Sequence, residues 1–300
     1  MNLQETCRAI RELRIQGAEN VATEAVVAVR HVLRQSRAKT VGGVMRDLSH
    51  ARDLLVATRP TEPELRNYLR LVIGYARGCR KQDVGAWKRD VIGKVTEVLE
   101  QKQIRLSKII ENGVLLLERH ARKRKVVVYT HCHSSTVTLT LREAQKRVSI
   151  QVRNTETRPL YQGRKTATEL AVVGIPVIYH VDGAMVEALR EADLALIGAD
   201  AVTKDGVYNK IGSELLGILA THYNIPLYVC CSFGKFDPKR EVVEQRSPDE
   251  VWERRPKNVG VHNPAFELLH FRHIKGIVCE DGVLQPKVFL RRVRKVLASE

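Results

Sequence analysis

Residues able to move protons crowd one short stretch of the chain. In Lys125-Val-Val-Val-Tyr-Thr-His-Cys-His-Ser-Ser-Thr136 an apolar, β-branched run meets small polar and nucleophilic side chains. Such a run reads as a buried parallel strand, then a turn, then the start of a helix. Unpaired N–H groups at a helix start favour anions and lower the pKa of a thiol held there. Cys132 falls at that junction. Much later, Leu194-Ala-Leu-Ile-Gly-Ala-Asp200 closes an apolar run on a carboxylate, with small residues that let a ligand approach. Ligands of open α/β sheets bind beyond the carboxyl ends of the strands. Cys132 and Asp200 are therefore the candidate acid/base pair. Taken singly, each has a plainer reading: a buried inert cysteine and a helix N-cap.

Other residues qualify for binding rather than catalysis. Asn209 reads as the N-cap of a helix over 209–223, with Lys210 at its start. The helix dipole disfavours a cation there unless an anion shares the site. Lys235 again follows a strand. Arg153, Arg158, Arg164 and Lys165 sit in a dense polar loop that could hold phosphates or lie in solvent. His131 and His133 flank the cysteine, but three consecutive residues cannot all face one metal ion, and no further ligand stands at suitable spacing. The sequence thus predicts no metal.

Two kinds of element must position these groups. Residues 1–120 read as all-helical: Val21, Ala25, Ala28, Val29 and Val32 fall at helical spacing, as do Leu65, Leu69, Val72 and Ile73. Gly42-Gly43 and Thr58-Arg-Pro-Thr-Glu-Pro63 interrupt the pattern, with Thr61 and Glu64 as a capping box. A long helix is predicted over about 88–119. From Val126 the texture changes to βαβ rhythm. Strands are predicted at 126–130, 148–153, 176–180, 194–198, 226–230 and 274–279, and helices at 134–146, 163–173, 183–191 and 209–223. Gly174-Ile-Pro176 and Asn224-Ile-Pro226 each end a helix and open a strand. The fold class is therefore α/β: an N-terminal all-helical domain (1–120), then a Rossmann-like domain (121–300) with a mainly parallel sheet. No GxGxxG follows the first strand, so the fold does not imply a dinucleotide.

Composition narrows the classes. The chain has 300 residues, a net charge of +16 and 44% hydrophobic residues. Residues 1–125 hold 26 Lys/Arg against 14 Asp/Glu, which points to a polyanionic partner or to a solvated basic surface. No apolar run is long enough for a membrane span and no signal-peptide pattern opens the chain, so a cytoplasmic protein is expected. Six scattered cysteines without a CxxC fit free thiols in a reducing compartment.

Taken together and in order, Arg14-x-x-Gly-Ala18, Thr58-Arg-Pro-Thr61, Thr130-His-Cys132, Glu156-Thr-Arg-Pro-Leu-Tyr-Gln-Gly163, Gly198-Ala-Asp200, Asn209-Lys-Ile-Gly212 and Asn263-Pro-Ala-Phe266 carry a resemblance. The chain resembles the family that unites sugar-phosphate isomerases with initiation factor 2B regulatory subunits. Its length looks most like the archaeal ribose-1,5-bisphosphate isomerases. The resemblance implies conversion of ribose-1,5-bisphosphate to ribulose-1,5-bisphosphate, with Cys132 and Asp200 catalytic and no cofactor. It implies substrate contacts from Arg14, Ile15, Gln16, Gly17, Arg59, Ser134, Ser135, Asn209, Lys210 and Lys235. A homo-oligomer, a dimer or a multiple of dimers, is implied and a nucleotide effector is allowed for; neither nucleic acid nor a membrane is needed. Where those isomerases read His-Cys-Asn, this chain has His131-Cys132-His133, and Phe266-Glu-Leu-Leu replaces an expected Phe-Asp segment. An isomerase of another sugar 1-phosphate, such as methylthioribose-1-phosphate, and a non-catalytic regulatory subunit are the alternatives. On the enzymatic reading, nearby imidazoles and the helix start hold Cys132 as a thiolate, and Asp200 stays protonated in a partly apolar pocket.

Overall fold

The computed structural model describes residues 1–121, 125–238 and 244–299. The chain divides into two compact units, with the division between Arg105 and Leu106. It falls inside one long helix, not at a linker.

The first unit is built from helices α1 (Leu3–Arg11), α2 (Ala18–Gln35), α3 (Val41–Val56), α4 (Pro63–Gly78) and the first part of α5 (Val84–Ala121). Each presents an apolar face. Val21, Ala25, Val29 and Leu33 of α2, Leu65, Leu69 and Val72 of α4, and Trp87, Val91 and Val95 of α5 share one buried cluster. Their three- and four-residue spacing is what stripes one side of a 3.6-residue helix. The helix cap lies one residue beyond the expected Thr61. Glu62 is the N-cap and Pro63 opens α4, where its missing N–H costs nothing.

The second unit is a seven-stranded sheet with helices on both faces. Strands β1 (Val126–Thr130), β2 (Ile150–Thr155), β3 (Val177–His180) and β4 (Leu194–Ile197) are followed by β5 (Ala201–Val202) and β6 (Gly206–Lys210). Then come β7 (Leu227–Cys230), β8 (Phe266–His270), β9 (Gly276–Cys279) and β10 (Gly282–Leu284). The main sheet runs β10-β9-β7-β4-β1-β2-β3; all its pairings are parallel except β10 with β9. Between the strands lie α6 (Ser135–Ala144), α7 (Gln162–Val172), α8 (Met185–Arg190) and α9 (Ser213–His222), and α10 (Pro286–Ser299) follows β10. Successive residues of each strand feed opposite cores. Ala195 and Ile197 join Leu216 of α9 and Phe289 of α10, whereas Leu194 and Leu196 join Leu117 of α5 and Leu141 of α6. That two-sided burial explains why these strands read as continuous apolar runs.

β5, β6 and β8 form a separate antiparallel sheet that the sequence did not announce. It corrects the helix predicted over 209–223. Asn209 and Lys210 are the last residues of strand β6, not an N-cap and a first helical turn; α9 starts at Ser213, and Gly212 is its N-cap.

Leu196 is fully buried at the centre of the sheet, whereas Ile178 on the edge strand β3 is 37% exposed. Leu196→Ala is expected to destabilise the second unit by about 3 kcal/mol and Ile178→Ala by well under ~1 kcal/mol. Urea unfolding followed by circular dichroism measures the difference.

Candidate active site

The order of the sheet places the candidate pair. From β1 the chain winds outward through β2 to β3, then returns to lay β4 against the other side of β1. The carboxyl ends of β1 and β4 are therefore where the winding reverses, the position at which open α/β sheets leave a crevice. Cys132 lies just beyond β1 and Asp200 just beyond β4. The Asp200 N–H donates to the Tyr208 carbonyl at 2.9 Å, which ties it to β6 and brings Asn209 and Lys210 alongside.

Cys132 has a left-handed backbone at φ 65°, costly for a residue with a Cβ. Neighbouring threonines hold it there. Its N–H donates to Thr157 Oγ1 at 3.0 Å, and its carbonyl accepts from Thr166 Oγ1 at 2.8 Å. Thr157 is itself left-handed, and the Asp182 carboxylate receives the N–H groups of Thr157 and Arg158 at 2.9 and 2.7 Å.

His131 ties the floor of the site together. Burial lowers its pKa, so the ring is neutral near pH 7. Nε2 is 2.8 Å from the Ile211 carbonyl, which can only accept, so Nε2 carries the hydrogen. Nδ1 then accepts from Thr155 Oγ1 at 3.0 Å, and that hydroxyl in turn lies 3.3 Å from the Tyr129 hydroxyl. Gly212, at φ 100°, passes so close that a Cβ there would sit 2.9 Å from His131 Nε2.

The electrostatics of Cys132 depart from expectation. Burial pushes its thiol up to about 12. The Lys210 ammonium and the His133 backbone N–H pull it down, while the carboxylates of Asp200 and Asp182 push it further up. The expected lowering is absent because α6 begins only at Ser135, and because neither imidazole is cationic near neutral pH. The same interactions show that Asp200 and Lys210 both act on the sulfur.

Lys210 is 6% exposed, and among the described residues its ammonium makes no hydrogen bond or ion pair. Lys235 is equally buried and donates to the Ala199 carbonyl at 2.7 Å. Asn209 donates to Ser213 Oγ at 3.0 Å. Ser134 caps α6 through the Val137 N–H and fills the space beside Gly198, where a Cβ would lie 2.5 Å from its hydroxyl oxygen. That space belongs to Ser134 and not to a ligand. Ser135 opens the same helix. His133, the departure from His-Cys-Asn, lies 3.0 Å from Glu169 Oε2 on α7. Burial lowers its pKa as well.

Arg14, Ile15, Gln16, Gly17 and Arg59 belong to the first unit. Arg14 pairs with Glu12 at 2.8 Å on an exposed turn, and Ile15 packs against the helical core. Gln16 donates to the Leu13 carbonyl, and Gly17, at φ 80°, is the N-cap of α2. Arg59 pairs with Glu62 at 3.0 Å. Of the predicted polar loop, Arg153 lies in β2 and Arg164 and Lys165 in α7; Arg158, between them, donates to the Tyr161 hydroxyl at 2.9 Å, and Arg164 stacks 3.9 Å from the centre of that ring. Thr155, Thr157, Thr166 and Asp182 escaped the sequence reading, because an isolated threonine carries no spacing signal. Glu267 escaped too: its Oε1 accepts the N–H groups of Gly212 and Glu214 at 2.7 and 2.8 Å, capping α9 from β8. Among the described residues no three His, Cys, Asp or Glu side chains converge as metal ligands would, and no helix is long and apolar enough to cross a membrane.

Known proteins resemble this chain along most of its length. It is 33% identical over 296 residues to the ribose 1,5-bisphosphate isomerase of Pyrococcus furiosus, covering 94% of this chain and 90% of that protein. It is 30% identical over 323 residues to the 5-deoxyribose 1-phosphate isomerase of Moorella thermoacetica, covering 99% and 90%. The crystal structure of the translation initiation factor eIF-2B of Pyrococcus horikoshii superposes with a TM-score of 0.79 at 26% identity, covering 95% of this chain and 97% of that one. With the initiation factor 2 subunit family model matching residues 14–286, the chain belongs to that family.

Proposed function

We propose that the protein is an aldose–ketose isomerase of a phosphorylated sugar, with ribose-1,5-bisphosphate as substrate, Cys132 as the base at carbon and Asp200 as the acid/base at oxygen. The observation that carries this reading is Lys210, a residue 6% exposed whose ammonium makes no hydrogen bond or ion pair among the described residues and acts on the Cys132 sulfur. A phosphate beside it gains charge-assisted hydrogen bonds. The 33% identity to an isomerase of that bisphosphate supports the substrate.

The reaction needs one proton moved at carbon and one at oxygen. The 1-phosphate blocks the free aldehyde, so ring opening is coupled to proton removal. Protonated Asp200 gives its proton to the ring oxygen as the C1–ring oxygen bond breaks. Cys132, as thiolate, takes the proton from C2, and a C1=C2 enol bearing the 1-phosphate forms. Cys132 then returns its proton to C1 while Asp200 accepts the proton of the C2 hydroxyl, leaving the ketone. Atoms and charge balance without an external reductant or oxidant. The reacting pair is thiolate plus carboxylic acid, one proton over two groups. In the ligand-free protein burial favours that proton on sulfur, so its transfer to Asp200 precedes chemistry. A second substrate, 5-deoxyribose 1-phosphate, is favoured by the 30% identity to an isomerase of that sugar over nearly the whole chain.

Ribose-1,5-bisphosphate is expected to yield ribulose-1,5-bisphosphate faster than 5-deoxyribose 1-phosphate is turned over. Cys132→Ser and Asp200→Asn are each expected to cut kcat by about 10²- to 10⁴-fold. Retention of near-native rates by both variants contradicts the assigned roles. Because the Cys132 thiol is shifted upward, its alkylation by iodoacetamide in the ligand-free protein is expected to accelerate up to at least about pH 10, roughly tenfold per unit. Peptide mapping across pH reads this, and a plateau below about pH 8 contradicts a raised thiol. Lys210→Met removes a buried ammonium at similar volume. It is expected to raise the melting temperature while raising KM at least about tenfold.

A further inference from the structure

The first unit carries a cavity that the proposed chemistry leaves unused. About 490 Å³ in volume, it lies between the last turn of α3 and one side of α4. That is the size of a small-molecule site, where an apolar lining carries a few placed polar groups. Here the apolar lining comes from Val56, Ala57, Pro60 and Ile73, and Gly74 leaves open space beside them. The charged lining is Arg52, Arg66, Arg70 and Arg77, with Asp53 the one acid among them.

Two of these arginines, Arg70 and Arg77, are not balanced from within the described residues. Asp53 is taken by Arg52 at 2.8 Å. Arg66 donates to the Pro60 carbonyl at the cavity's edge. Arg70 and Arg77 make no hydrogen bond or ion pair among the described residues. From Leu65 to Gly78, α4 has no Asp or Glu. Arg66 and Arg70 stand four residues apart on one helix face, a like-charge spacing that costs helix stability. The dipole compensates Arg77 near the helix end, but not Arg70 in its middle. Guanidinium forks that stay unpaired beside an apolar recess match an anion that accepts two hydrogen bonds per group.

We propose that this cavity binds an organic polyphosphate, with a ring-sized apolar body against Val56, Ala57 and Pro60 and phosphates held by Arg70 and Arg77. Along α4 these two arginines are separated by about 10 Å, two helical turns. They grip a chain of phosphates rather than a single one. The recess supplies the second requirement, a body that charge alone does not satisfy.

Calorimetric titration of the full chain tests this with three probes: adenosine triphosphate, tripolyphosphate and adenosine. Adenosine triphosphate is expected to bind at one site per chain in the first unit, and the two fragments at least tenfold more weakly. Arg70→Ala/Arg77→Ala is expected to weaken binding at least tenfold with an unchanged melting temperature, since both residues are exposed. Arg70→Lys, which keeps charge but loses the fork, is expected to recover only part. Lys210→Met, which alters the other unit, is expected to bind as wild type does. Absence of binding, undiminished binding by the double arginine variant, equal binding of tripolyphosphate, or loss of binding in Lys210→Met overturns the proposal.

Discussion

The bond from His131 Nε2 to the Ile211 carbonyl is the constraint on which the C-terminal unit's chemistry depends. It joins the loop after β1 to the loop after β6, two segments that share no strand pairing. The Ile211 carbonyl fixes the tautomer, and at the ring's other nitrogen Thr155 donates to Nδ1 and brings in β2. A neutral imidazole is suited to this because it donates on one side and accepts on the other. A cationic ring would have no acceptor to offer Thr155. Burial, which disfavours the charged form, thereby keeps the tie intact.

From that tie the rest of the site follows. With 131 and 211 held together, Cys132 and Lys210 are adjacent to a common anchor, and Lys210 comes to act on the thiol. Cys132 pays for its placement with a left-handed backbone, and bonds from Thr157 and Thr166 hold it there. Asp182 steadies the Thr157 segment in turn. The sulfur is thus set by a frame of backbone bonds and short hydroxyl side chains, groups with little rotamer freedom to lose.

The main sheet was legible because burial on both faces leaves a plain mark: runs such as Val126–Tyr129 and Leu194–Ile197 have no polar alternation to confuse them. The Gly174-Ile-Pro176 and Asn224-Ile-Pro226 stops were legible for a similar reason, since Gly and Pro act locally. Cys132 and Asp200 could be placed together because both stand at strand ends. The small antiparallel sheet was not legible. β5 has two residues, and β6 reads Gly-Val-Tyr-Asn-Lys, whose polar end mimics a helix cap. Its partner β8 lies more than fifty residues away, and pairing at that distance leaves no local pattern. The thiol's electrostatics were misjudged for a related reason: desolvation belongs to the packed chain and not to any motif within it.

Glu267 gives the site a further property. Its carboxylate accepts two of the amides at the head of α9, those of Gly212 and Glu214, and so puts a negative charge at a helix end that otherwise favours a phosphate. On the proposed function, attraction for an incoming anion falls instead to the ammonium groups of Lys210 and Lys235. An ammonium is a compact charge with rotating donors, indifferent to the tetrahedral outline that a ring of amides would read. On the same proposal, discrimination among phosphorylated sugars comes from the carbon skeleton and its hydroxyls. On that reading the scaffold can change its preferred sugar without rebuilding how it holds charge.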